Sequence, residues 1–100
     1  MKYYKINWTH EFIEEPFLVF IEINENGFEE KKIEFYKDSV IKIASNDFER
    51  ETFLNPDKFY IEDYNYQSYK ERISAVEISK IYFNMEWEKA IHMQCTNMPL

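Results

Sequence analysis

One hundred residues, 45% of them hydrophobic and 19% aromatic, are enough for a single domain with its own core. The single cysteine, Cys95, excludes an internal disulfide, and no run approaches the roughly 20 apolar residues of a membrane span. With no such run no membrane partner is expected, and the net charge of −7 is dispersed, −4 over residues 1–50 (7 basic, 11 acidic) and −3 over residues 51–100 (5 basic, 8 acidic); such a field argues against nucleic-acid partners and favours a basic protein, while also serving plain solubility. The opening MKYYKINW lacks the apolar centre of a secretory leader, so a cytoplasmic location is expected.

Tyr3–His10 alternates, with Tyr4, Ile6, Trp8 and His10 on one side and Tyr3, Lys5, Asn7 and Thr9 on the other, which reads as a strand. Glu11–Glu15 is an acidic linker closed by Pro16, where a ladder N–H is lost. Phe17–Asn24 follows, apolar on both sides at its start, which predicts a central strand. Asn26-Gly27 is the hairpin signal of the chain, and Phe28–Tyr36 returns from it with Ile33 and Phe35 toward the core and Glu30, Lys32 and Glu34 outward. Lys37-Asp38-Ser39 turns the chain again into a short strand over Val40–Ala44. Strands joined by short turns pair as neighbours, so the expectation is a four-stranded antiparallel meander.

Ser45–Ser74 has no sustained period. It mixes acidic residues with many rings, contains the turn signal Asn55-Pro56-Asp57, and allows a short helical turn near Tyr60–Tyr66. A segment this long does not stay structureless in a small domain; it is expected to lie across the sheet as an aromatic lid. Ser79 is a suitable N-cap, and Phe83, Trp87, Ala90 and Ile91 then fall at helical spacing. The spacing predicts a helix over about Lys80–His92 on the open face of the sheet, with residues 93–100 as a loose tail. A fully buried Trp87 ring would make Trp87→Ala cost about 3–5 kcal/mol. The fold class is thus α+β: one domain over residues 1–100, a four-stranded meander with a C-terminal helix on one face.

Residues able to do chemistry are few. His92 and Cys95 are three apart, but a zinc site needs three or four ligands, so no metal is expected. Cys95 has no positioned base other than His92. His10, between Trp8 and the glutamates of the linker, has two readings: a general acid–base with a nearby carboxylate, or a ring that fastens a loop at a strand end. Glu22 interrupts the apolar run of its strand and can face Lys31 or Lys5 across the ladder. With one glycine there is no phosphate-cradling loop, and no cofactor is expected. Tyr60, Tyr64, Tyr66 and Tyr69 are the best binding candidates, because tyrosine anchors in an acidic surface suit protein partners; they serve equally well as a roof over the sheet.

The order of features resembles a family of small bacterial domains of unknown function, the DUF6881 type. The residues that carry it are Tyr4, Trp8 and His10, then Pro16, Glu22-Ile23, Gly27-Phe28-Glu29 and the run Lys31–Asp38. At the far end come Ile78, Ser79, Phe83, Trp87 and Ala90. Two positions depart from the pattern. Lys31-Lys32 stands where an Arg-Lys pair is usual, without the bidentate fork of arginine, and Tyr82 replaces an acidic residue after the cap. The resemblance implies no enzyme activity. It suggests a toxin-immunity role, since such domains are often encoded beside bacterial toxins.

The expectation from sequence is therefore a cytoplasmic binding protein, not an enzyme, that neutralises a basic toxin domain such as a nuclease. Its contact residues would be Tyr60, Glu62, Asp63, Tyr64 and Tyr66. Two alternatives stand beside it. One is a small-ligand binder or enzyme centred on Trp8, His10 and Glu22; the other is a structural homodimer, the chain being otherwise a monomer or a weak dimer.

Overall fold

A computed structural model describes residues 1–50 and 52–96, with residues 48–50 and 94–96 as backbone only. The elements are β1 (Lys2–Thr9), β2 (Leu18–Ile23), β3 (Glu29–Phe35), β4 (Ile41–Ser45), β5 (Phe48–Arg50), a 3₁₀ turn (Ile61–Tyr64), β6 (Tyr66–Gln67), β7 (Arg72–Ile78) and helix α1 (Lys80–Thr96). All strands join one antiparallel sheet in the order β5-β4-β3-β2-β1-β7-β6. The expected meander is its middle, β4-β3-β2-β1. The expected count of four is corrected to seven: β5 extends one edge, while β7 and the two-residue β6 extend the other.

Burial explains the centre. In β2 every residue from Val19 to Ile23 is buried, so a strand apolar on both sides sits in the middle of the sheet. The β2–β3 turn is not a two-residue loop. Gly27 N–H donates to the Asn24 carbonyl at 3.0 Å, and the Asn24 side-chain oxygen accepts the Asn26 and Phe28 N–H groups at 2.9 and 3.0 Å. Only Gly27 of the pair has positive φ, at 93°, a conformation suited to glycine.

One face of the sheet is covered by α1. Ser79 Oγ accepts the Tyr82 N–H at 3.0 Å as an N-cap, and Ile78 before the cap joins Phe83 in the same core, as a hydrophobic staple does. Tyr3, Phe20, Ile33, Ile43, Phe83 and Ala90 form that core. Lys31 and Lys5 emerge here under rings of the helix, with Lys31 Nζ 5.3 Å from the Trp87 centroid and Lys5 Nζ 3.1 Å from the Tyr82 hydroxyl. Trp87 is half-buried, which lowers the cost of its truncation below the full-burial figure. The helix also runs past His92 to Thr96, so residues 93–96 are not a tail; residues 97–100 lie outside the described residues. No proline or glycine between Met93 and Thr96 breaks the helical pattern.

The opposite face carries a second core of Tyr4, Ile6, Val19, Ile21, Ile23 and Ala75, with Phe59, Ile61, Tyr64 and Ile73 packed on it. Its cover is the lid foreseen in the sequence. Phe59 lies 4.7 Å from the Tyr4 ring and Tyr64 4.9 Å from Phe59.

Candidate functional site

The lid is fastened by polar bonds at separate points. Glu29, buried in the sheet, accepts the Asn55 N–H at 2.9 Å and pairs with Lys32 Nζ at 2.9 Å. Lys32 also donates to the Phe53 carbonyl at 3.3 Å. The Phe59 N–H reaches the Gly27 carbonyl at 2.8 Å, and Lys58 lies across Gly27 so closely that a Cβ there would stand 2.6 Å from its Cε. Asn65 Oδ1 accepts the Ala75 N–H at 3.2 Å. With three residues per turn, a 3₁₀ turn puts positions i and i+3 on one side. Ile61 and Tyr64 accordingly face the sheet, and Glu62 and Asp63 are exposed.

The predicted contact residues therefore divide. Tyr60 is 53% exposed and joins Glu62 at a shallow groove along the hairpin tip and the N-terminal residues. Asp63 is exposed beside them on the 3₁₀ turn, and Tyr66 is exposed on β6. Tyr64 is a roof residue. Burial, with the charges of Glu29 and Asp63 adding to it, pushes its hydroxyl above the usual tyrosine range.

Trp8 and His10 are brought together, their ring centroids 4.3 Å apart, but Glu22 is not with them. His10 is 5% exposed, and both ring nitrogens are engaged with backbone. The Phe12 N–H donates to Nδ1 at 2.9 Å. That bond leaves Nε2 as the protonated nitrogen, which donates to the Pro16 carbonyl at 2.8 Å. Lys37 Nζ donates to the His10 carbonyl. This is a ring that folds the acidic linker back on the strand ends, with backbone groups and no carboxylate as its hydrogen-bond partners among the described residues. Glu22 lies on the helix face opposite Tyr3 and Lys31. There it takes the Tyr3 hydroxyl, whose pKa is raised by burial and then by the Glu22 charge. The sheet itself separates Glu22 from Trp8.

Trp8 instead borders a cleft of about 260 Å³ left between the lid and the 10–17 loop. Ile6, Val19, Ile21 and Ile73 line it, together with Pro16, Tyr64, Glu15, Glu29, Lys32 and Glu34. The Trp8 indole N–H is buried with no hydrogen-bond partner among the described residues, an arrangement that costs about 1–3 kcal/mol. Glu34 holds the Tyr36 hydroxyl at 3.0 Å; burial first, and then Glu34, Glu15 and Asp38, raise the Tyr36 pKa far above its ordinary value. Sequence reasoning singled out Trp8 and counted Glu15 only among the linker glutamates near His10, and it did not place Glu29, Lys32, Glu34 or Ile73 at a site. Glu34 and Lys32 alternated like residues facing solvent, and only the lid reveals that their side is roofed.

Among the described residues, no group of three or more His, Cys, Asp and Glu is placed to hold a metal ion. The Cys95 side chain lies outside them. No described helix is long and apolar enough to cross a membrane. No curated protein and no solved structure matches the chain. The sequence model of one family, described as a domain of unknown function (DUF6881), matches residues 2–92. That span runs from the first strand through most of α1, and the chain belongs to the DUF6881 family.

Proposed function

We propose that this chain is a protein-binding domain of the immunity type, which neutralises a basic bacterial toxin in the cytoplasm by covering it. The observation that carries the reading is the 3₁₀ turn in the lid. It packs the partly buried Ile61 and Tyr64 against the sheet and turns Glu62 and Asp63 outward beside Tyr60, on a segment clasped to the sheet. A display held in place loses less conformational freedom on binding. The net charge of −7 suits a cationic partner such as a nuclease domain and speeds its encounter, while buried rings slow release. No residue is given a catalytic role.

The test is co-expression with the product of the adjacent gene. The expected result is co-purification and inhibition of that product. Tyr60→Ala combined with Glu62→Gln and Asp63→Asn should weaken the complex by more than tenfold, about 1.4 kcal/mol or more. A toxin-like neighbour that is neither bound nor inhibited overturns the reading.

One observation favours a homodimer as the second reading. β6 pairs only with Ile73 and Arg72 of β7, and Val76 beyond them is 53% exposed. An edge of this kind can accept another strand. A mass that rises with concentration, and that Val76→Lys abolishes, would support it.

A further inference from the structure

The lining of the Trp8 cleft matches one kind of occupant. Its floor is apolar, from Ile6, Val19, Ile21 and Ile73. Around the floor stand two rings, Trp8 and Tyr64, and three carboxylates, Glu15, Glu29 and Glu34, against one cation, Lys32. Lys32 already pairs with Glu29 at 2.9 Å, so the charge left over belongs to Glu15 and Glu34. Among the described residues neither makes an ion pair. The Tyr36 hydroxyl engages only one of the two Glu34 oxygens.

We propose that this cleft receives a primary ammonium or guanidinium carried on an aliphatic stem, the chemistry of a lysine or arginine side chain. The stem would lie on the apolar floor, as long basic side chains do on apolar surface. The head would reach Glu15 and Glu34, with the ring faces of Trp8 and Tyr64 adding cation–π attraction. At about 260 Å³ the cleft falls just under the range of roughly 300–1,000 Å³ for drug-sized ligands, which suits one side chain. Where that side chain belongs to a partner, the inference rests on the protein-binding reading above. A free amine shares the chemistry, and the test separates the two sources.

The test follows the indole N–H of Trp8 by nitrogen-15 NMR, with Trp87 as internal reference, during titration with agmatine and with a tri-arginine peptide. Both cations should move the Trp8 signal saturably, while n-butanol and glutarate should not. Glu15→Gln with Glu34→Gln should weaken binding about tenfold or more, the scale of a lost charge-assisted contact. Glutamine at 34 still accepts from Tyr36, so an unchanged melting temperature shows that the fold is intact. Glu62→Gln with Asp63→Asn, outside the cleft, should leave binding unaltered. Saturation by agmatine alone supports a site for a free amine, and saturation by the peptide supports a partner's side chain. The absence of saturable shift with both cations overturns the proposal, as does an affinity indifferent to the Glu15 and Glu34 substitutions. A cleft that takes agmatine, in a chain that ignores its neighbouring gene product, would keep this inference and end the immunity reading; the opposite pair of results would do the reverse.

Discussion

The two faces of the sheet are covered by different means. Over Phe20, Ile33 and Ile43 lies a continuous helix whose backbone satisfies its own hydrogen bonds, so its cover rests mainly on apolar packing around Phe83. Over Ile6, Val19 and Ile21 lies an irregular segment that cannot satisfy its backbone alone. It relies on bonds to Glu29, Lys32, Gly27 and Ala75, and it stops short of the 10–17 loop. A helix seals a face; a clasped loop can leave an opening between its clasps. Segments held in this way open locally at lower free energy than the core.

The comparison can be broken first on the helix side. Phe83 is 0% exposed, so Phe83→Ala should cost about 3–5 kcal/mol and lower the urea midpoint of the whole domain. On the lid side, Glu29→Ala strands Lys32 and the Asn55 N–H. Unpairing a buried ion in this way costs about 3 kcal/mol. Amide exchange should rise in residues 53–65 before it rises in β2, the signature of a lid that opens by itself; uniform acceleration across the sheet would refute the distinction. Gly27→Ala should cost about 1–2 kcal/mol, from positive φ and from the displaced Lys58 side chain, with faster exchange concentrated at Phe59. The smallest effect is alkaline. Tyr3, Tyr36 and Tyr64 all have raised pKa values, so above pH about 10 the unfolded chain gives up protons that the folded chain keeps. The stability that these groups contribute is complete below pH about 10 and is lost as pH rises beyond it. Tyr36→Phe should flatten that loss in urea midpoints measured at pH 9 and 11.

Much of the helix-covered half was legible in the sequence, because its signals are local. Asn26-Gly27 marked the hairpin, the alternation of Tyr3–His10 marked the first strand, which ends one residue earlier at Thr9, and Ser79 with Phe83 and Ala90 placed the helix. β7 was not legible. In Arg72–Ile78 the neighbours Ala75 and Val76 are both apolar, which blurs the period of two. Half of the strand lies near a sheet edge, where Val76 stays exposed. The cleft was harder still, since its lining comes from β1, β2, β3, β7, the 10–17 loop and the lid. Trp8 stood out as a large ring beside a histidine, but its neighbours follow from pairing partners such as Ile73, opposite it across the sheet. His10 does lie against Trp8, but loop backbone claims both of its ring nitrogens, and strand alternation sends Glu22 to the other face.

The place of β1 also bears on how the chain comes off the ribosome. It is made before every other strand of this sheet, yet it ends between β2 and β7, with Tyr3 opposite Ile78 and Thr9 opposite Arg72. The hairpin partner is available early, whereas the second edge of β1 must wait until nearly all of the sheet has been synthesised. Closing so long a loop is slow, and until then the nascent chain carries an open strand able to pair with other chains. Emergence of Arg72–Ile78 is therefore the point at which both edges of β1 can first be paired.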